Sequence, residues 1–499
     1  MTNRIRISVL GLFAALAVLA AGCGGGGTQK GGASTSPGAS LVTAHALAYV
    51  TVQSDLGSNQ WKQVDELSHK FPGRDKAIEQ IKKSLSQQNV DYTADIKPAL
   101  GSEVDFAVVN GATPKDVSFA ALTKPEDPLR FKALVAKMNR DSSGSSTVYR
   151  DIGDGWFTLS RTQQMIDRVV ETNESDSLAH NSTFTESLGK LPPEALAKAY
   201  VNGPALATLL RQAVQQSNTP FDLSALGGID KLDYISASLS AESDGVRLRG
   251  AVSGSGSATL GSGEYTSKLM DGVPGDALAF LTCQGGGLAD SLQKLENNPQ
   301  VGPALKQMEA GLGVSLKEIL DLFRNEVAFY ARPGSPIPEF TLVLESSDEQ
   351  KAMGTIDKLF TRLGATGLTR PCPTSEQGGV TMKCVQISSL AVHYGASDGK
   401  VFVTTGPSAV SEYKASDNKL KDDTDFKDAK AAAGLPDSTG GFIYVNLKDA
   451  IPMIESLAGL GGTNVPSEVS ANLAPLRSFL AWSAGSGDTR TFDVFLEIK

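Results

Sequence analysis

Ala46-Leu-Ala-Tyr-Val-Thr51 returns 231 residues later as Ala277-Leu-Ala-Phe-Leu-Thr282, Glu103-Val-Asp-Phe106 returns 223 later as Glu326-Val-Ala-Phe329, and Tyr200-Val-Asn202 returns 244 later as Tyr444-Val-Asn446. Phe119 and Phe340 form a fourth pair, 221 apart. Landmarks in one order argue for a tandem duplication, with an insertion of about 23 residues in the second copy. Units of this length are too long for solenoid repeats, so each is expected to carry its own core. The expected organisation is a leader over 1–22, a tether over 23–40, a first unit over 41–260 and a second over 261–499. The Gly/Ser stretch Ser253 to Gly263 lies where a linker belongs.

Within each unit the hydrophobic period alternates between two and three to four. Ala46 to Val52 and Val104 to Val109 are β-rich, and Trp61, Val64, Leu67, Phe71, then Ile78, Ile81, Leu85, fall at helical spacing between them. Val117 to Leu122, the helix face Phe131, Leu134, Met138, a hairpin turning at Asp154-Gly155, a helix near Met165 and a strand over Ala197 to Asn202 follow. That order is the order of a ferredoxin-like β-α-β-β-α-β element, and the second copy has it from Phe340 to Asn446. Each unit closes with a hairpin, Tyr234 to Ser240 with Val246 to Val252 and Phe479 to Ala484 with Phe492 to Ile498. Alternation in Phe492, Val494, Leu496 and Ile498 predicts that these four form a buried sheet face. The fold class is α+β, mostly antiparallel.

The first residues read as an address. Arg4 and Arg6 precede an uncharged apolar run from Val9 to Ala21, a secretory signal too short to span a membrane comfortably. The run ends Leu19-Ala20-Ala21-Gly22-Cys23, small residues before a cysteine, as a lipoprotein signal peptidase requires. Leu19 stands four before the Cys rather than three. Cys23 is therefore expected to be the lipidated N-terminus, carrying palmitate or a similar acyl group. Gly24 to Ser40 has no side chains able to form a core and reads as a flexible tether between bilayer and body. The chain is acidic, 46 Lys and Arg against 55 Asp and Glu, without a basic run. Nucleic acid is thereby excluded as a partner, and the body has no electrostatic reason to lie on an anionic leaflet.

Lipobox and tether, the opening Ala46-Leu-Ala-Tyr-Val, the segment Tyr92-Thr-Ala-Asp-Ile-Lys-Pro-Ala-Leu-Gly101 before a strand, and units ending in Leu191-Pro192 then Tyr-Val-Asn resemble the bacterial domain-of-unknown-function family 3352. The resemblance covers most of the mature chain. It implies an extracytoplasmic, membrane-attached protein and brings no assigned activity or site. The second copy has Asp321 where the first has Pro98, so the proline is not an architectural requirement.

Candidate chemistry is sparse. Gly395-Ala-Ser397-Asp-Gly399 has the spacing of a hydrolase nucleophile elbow, but it lies between two strand patterns, and the matching Ile152-Gly153-Asp154-Gly155 keeps Asp-Gly without a serine. A hairpin turn is expected. His45, His69, His180 and His393 make no ligand spacing, and Asp422-Asp423-Thr-Asp425 lacks the Gly and Glu of a calcium loop, so a solvated face or a helix cap is expected there and no metal or cofactor. Cys372 and Cys384, twelve apart in the insertion, are expected to form a local disulfide in an oxidising envelope. Cys283, matching Val52, reads as a small core residue.

The expected function is that of a non-enzymatic cell-envelope lipoprotein held to the membrane by its anchor, a binding or scaffold module, in its sharpest form a carrier of a hydrophobic ligand. Its partner would then be that ligand or an envelope protein. The alternative is an envelope hydrolase acting on cell-wall or lipid substrates. A deep apolar cavity would mark the carrier and a cleft with converging carboxylates the enzyme. Because acylation needs the Cys23 thiol, Cys23→Ser should abolish incorporation of labelled palmitate in cells, and equal labelling of the variant would exclude Cys23 as the acylation site.

Overall fold

The computed structural model describes residues 36–499 apart from 112, 114, 115, 142–145, 172, 217–228, 256–262, 287–301, 416 and 486. The leader, Cys23, most of the tether and most of the linker stretch lie outside the described residues. The chain divides into two compact units, the first comprising the described residues up to 216 and Ile229–Gly254, the second those of Ser255–Lys499. Among the described residues no helix is long and apolar enough to cross a membrane.

The first unit contains β1 (Ala48–Gln53), β2 (Glu103–Val109), β3 (Ser118–Thr123), β4 (Val148–Gly153), β5 (Trp156–Ser160), β6 (Ala197–Asn202), β7 (Leu232–Glu242) and β8 (Gly245–Gly254). Its helices are α1 (Asn59–Ser68), α2 (Arg74–Gln87), α3 (Pro128–Asp141), α4 (Gln163–Val169), α5 (Ser182–Gly189) and α6 (Gly203–Gln216). All pairings are antiparallel, and the spatial order is β4-β5-β3-β2-β1-β6-β7-β8. Ser58 starts α1 by accepting the Trp61 amide, as an N-cap serine should.

In the second unit the strands are β9 (Ala279–Gln284), β10 (Glu326–Arg332), β11 (Glu339–Glu345), β12 (Arg370–Gln377), β13 (Val380–Ile387), β14 (Leu390–Ser397), β15 (Lys400–Thr404), β16 (Gly441–Asn446), β17 (Leu476–Ala484) and β18 (Thr489–Ile498). The helices are α7 (Gly302–Leu312), α8 (Leu316–Asp321), α9 (Glu349–Ala365), α10 (Ala409–Lys414), α11 (Thr424–Ala433), α12 (Leu447–Leu460) and α13 (Ser467–Leu473). The order is β12-β13-β14-β15-β11-β10-β9-β16-β17-β18, again antiparallel throughout. Without β12 and β13 it is the strand order of the first unit, position for position.

Both units are α+β, but the ferredoxin-like element is not closed. β3, α3, β4 and β5 make its first half, with β5 pairing both β3 and β4. β6, which should then pair with β3, pairs with β1 and β7, because β2 already occupies the other edge of β3. The second unit does the same with β16.

One face of each sheet is packed shut. In the first unit Tyr49, Phe184 and Tyr200 meet edge to face within a cluster that includes Ala39, Val42 and Leu178. In the second, Phe280, Tyr330, Phe426 and Tyr444 play that part under α11. Helix α11 starts on Asp423, whose carboxylate accepts the Phe426 amide at 2.9 Å, so the acidic run is a helix cap. The other face is covered at one end, by α3 over Ala121, Phe157 and Leu159 and by α9 over Leu344, Val392 and Val401.

Cys372 and Cys384 face each other across β12 and β13 and are disulfide-bonded, with Cα atoms 5.0 Å apart. Cys283 is a free thiol of β9, half-buried against the edge of the α9 cluster rather than enclosed in the core. Since the disulfide closes a twelve-residue span, Cys372→Ser with Cys384→Ser should lower unfolding stability by about 3 kcal/mol at most. Denaturant melts of variant and parent check this, and coincident curves would show that the bridge constrains nothing.

Candidate functional site

The closing hairpins wear their side chains the wrong way round for a sheet with one dry face. In β18, Asp493, Phe495 and Glu497 are buried, whereas Phe492, Val494 and Leu496 are only half-buried. The alternation was legible in the sequence, but its expected orientation is reversed; of the four apolar positions only Ile498, beyond a register shift, is buried. β7 and β8 repeat the inversion, with Ser236, Ser238, Ser240 and Arg247 buried and Leu239 and Leu248 exposed.

These apolar side chains continue across the sheet. In the second unit the register puts Leu496, Phe479, Val445 and Ala279 in one row and Val494, Ala481, Ile443, Leu281, Phe329 and Leu342 in the next. Phe329 (37% exposed), Phe340 (39%) and Ile443 (38%) are the accessible centre. The two Phe rings stack with centroids 6.1 Å apart. Helix α12 runs beside β16 and β17 and fully buries none of its side chains, leaving Ile454 and Leu460 exposed. The first unit has the same arrangement, with Phe106 and Phe119 stacked at 5.9 Å and half-buried Val50, Val201 and Ile235 beside them. Among the described residues the middle of this face carries no titratable side chain, and its accessible surface is apolar.

The repeated Tyr-Val-Asn motif builds something else. Tyr200 and Asn202 line a cleft of about 520 Å³ with His45, Asn110, Asn181 and Asp233. Tyr444 and Asn446 line one of about 250 Å³ with Asp425, Lys448, Arg477 and Glu497. Each Asn caps the helix that follows, Asn202 accepting the Ala205 amide at 3.0 Å and Asn446 the Asp449 amide at 3.2 Å. Burial pushes the Tyr200 phenol up to about 12 and that of Tyr444 higher, so both stay neutral. In the second cleft two of the carboxylates are engaged by cations, Asp425 with Lys448 at 2.9 Å and Glu497 with Lys499 at 2.5 Å, and Asp428 is the third acid of the lining. Both clefts are open and of mixed polarity, and neither is the deep apolar cavity expected of an enclosed carrier.

Ser397 ends β14 opposite Lys400, and Asp398 and Gly399, both at positive φ, form the turn. Its hydroxyl donates to Asp398 at 2.9 Å and accepts from Lys414 at 3.2 Å. The histidines stay apart: His69 bonds the Asp65 carbonyl, His180 faces Ser177 and His393 faces Ser375. Among the described residues no three metal-ligating side chains gather. Sequence reasoning missed the open face because it assumed that the more apolar side of a strand is the dry one. The buried serines of β7 were the available signal.

A family model described as a protein of unknown function (DUF3352) matches residues 5–153 and 135–498. No curated protein matches the chain. Among solved structures it is similar to the "Structure of crystal form IV of TP0453", with TM-score 0.23 and 12% identity over 46% of this chain and 93% of that one. Crystal form III gives 0.23 and 14% over 46% and 92%, and crystal form I gives 0.22 and 14% over 47% and 92%.

The Lys414 ammonium holds the Asp398 carboxyl below its ordinary range, which leaves it a weak base for the Ser397 hydroxyl. A fluorophosphonate probe should leave it unlabelled, and stoichiometric labelling that disappears in Ser397→Ala would reinstate the nucleophile.

Proposed function

The chain belongs to the DUF3352 family of proteins of unknown function, and from that footing we propose that it is a non-enzymatic binding module of the cell envelope, anchored through Cys23, whose two units arose by duplication and each hold a hydrophobic, lipid-type ligand on an open sheet face. The observation that carries this is the inversion of the closing hairpins, which bury serine, aspartate and glutamate and keep valine, leucine and phenylalanine accessible. Exposed apolar area of this extent is costly for a chain in water unless something covers it in use. The matching strand order of the two units and the paired stacks, Phe106 with Phe119 and Phe329 with Phe340, support the duplication.

Energetics favour reversible capture. Covering about 300 Å² of apolar surface is worth roughly 7 kcal/mol before the cost of association. Fourteen residues, Cys23 to Ser36, lead from the proposed acylation site to the start of the described body.

The experiment is titration of the full chain with a fluorescent fatty acid. Phe329→Ser with Phe340→Ser should remove one of two binding equivalents, Phe106→Ser with Phe119→Ser the other, and all four should weaken binding at least tenfold while the circular dichroism spectrum is kept. Parental binding in the fourfold variant, or no binding by the parent, would overturn the reading.

A further inference from the structure

The short turn that opens each unit is seated on a carboxylate. In the second unit Glu326, the first residue of β10, accepts the Lys268 and Leu269 amides at 2.9 and 3.2 Å and the Ser267 and Thr282 hydroxyls at 2.5 and 3.1 Å, which seats the turn Leu269–Gly272. In the first unit Glu103 accepts the Ser36 hydroxyl at 2.8 Å and the Gly38 amide, which seats the turn Pro37–Leu41. Ser36 and Ser267 lie 231 apart and Glu103 and Glu326 lie 223 apart, the offsets of their flanking strands.

One slot beneath these turns is filled in two ways. The second unit places Leu269 and Ala328 there, both buried in the core. The first has Gly38 and Asp105 at those positions. Asp105 is 0% exposed, and a Cβ on Gly38 would collide with its carboxyl group, so only glycine lets the turn lie on the acid. Asp105 Oδ1 accepts the Ser36 hydroxyl at 3.0 Å, the Thr51 and Tyr49 hydroxyls also act on the carboxyl, and Oδ2 is buried without a well-formed hydrogen bond. The ionisable groups facing it are Glu103 on its own strand and the Tyr49 phenol on β1. The turn and the facing β3 residues Ala120 and Leu122 supply none, and Lys198 of β6 is on the same sheet face only beyond Thr51. No cation pairs with Asp105 among the described residues.

We propose that Asp105 is a proton-operated latch, holding the turn Pro37–Leu41 on the first sheet when its carboxyl is protonated and releasing it when the proton leaves, whereas the second unit, with Leu269 over Ala328, holds its turn without this dependence. Two carboxyls in one dry site share a proton more readily than they both ionise. Burial, with Glu103 adding, raises the Asp105 pKa well above its ordinary value. The closed state therefore keeps a proton that the open state, with an ordinary aspartate, gives up. Closure is strongest below the ordinary aspartate value of about 3.9 and weakens by about tenfold per pH unit, for one proton, up to the raised folded value. Release withdraws Ala39 and Val42, both fully buried, from the cluster around Tyr49, Phe184 and Tyr200. Apolar surface is uncovered where the N-terminal 35 residues join the body.

Val42 and Val273 provide matched reporters, since each amide donates back within its turn, to Ala39 and to Met270. Hydrogen exchange on the full chain between pH 5 and 9, corrected for intrinsic exchange, should show the Val42 opening constant rising about tenfold per pH unit over at least one unit while that of Val273 stays flat. Gly38→Leu with Asp105→Ala, which installs the second unit's pair, should flatten Val42, and so should Asp105→Asn, which keeps the shape and cannot ionise. Equal pH dependence at the two valines, or a Val42 slope that survives in Asp105→Asn, would overturn the latch.

Discussion

Backbone pairing of β1 with both β2 and β6, and of β9 with both β10 and β16, is the constraint from which each unit is built. A strand bonded on both sides has no free edge, so its alternate side chains are committed to two sheet faces. Tyr49 and Phe280 take the side closed by short turns and helices, and Val50 and Leu281 take the side that α3 and α9 reach only at one end. The helices among the described residues do not cover both faces, and part of the second stays accessible. The open face follows from the same pairing that makes the core.

The central position of β1 and β9 also explains why the seating carboxylates matter. Glu103 and Glu326 open strands that flank these central ones, and each satisfies backbone amides of a turn that would otherwise enter the core with unpaired donors. A buried carboxylate receiving several hydrogen bonds is tolerated because the bonds replace its hydration. Where the first unit adds Asp105 without a full set of partners, that compensation is incomplete. An orphaned oxygen at the same place in the fold as a buried alanine is a difference of ionisation between two otherwise matching sites.

Much of this was legible beforehand, and the parts that were not share a cause. The repeated landmarks mark the starts of β1 and β9, of β2 and β10, and the ends of β6 and β16, because their motifs sit where strands meet turns and local chemistry dominates. The Asp398-Gly399 turn and the Cys372 to Cys384 bridge were readable for the same reason, as both are set by residues close in sequence. The pairing partner of β6 was not, since it depends on β1 and β2 having taken the edge of β3 earlier in the chain. Nor was the wet side of β18: a period of two says that a strand has two faces, not which one the rest of the protein covers. The meeting of Gly38 with Asp105 joins residues 67 apart and could be seen only in three dimensions.

The insertion that distinguishes the second unit leaves β12 as the outermost strand on its side of the sheet, bonded among the described residues to β13 alone. An outer strand is a template on which other chains can extend a sheet. β12 carries Pro371 and Pro373, which have no amide hydrogen to offer, with Arg370 beside them and a register shift after Cys372. The disulfide fastens this unreceptive strand to its neighbour, so that it cannot peel away and bare β13. On that flank the sheet is finished, and a neighbouring molecule meets there a margin ill-suited to extending it into a fibril.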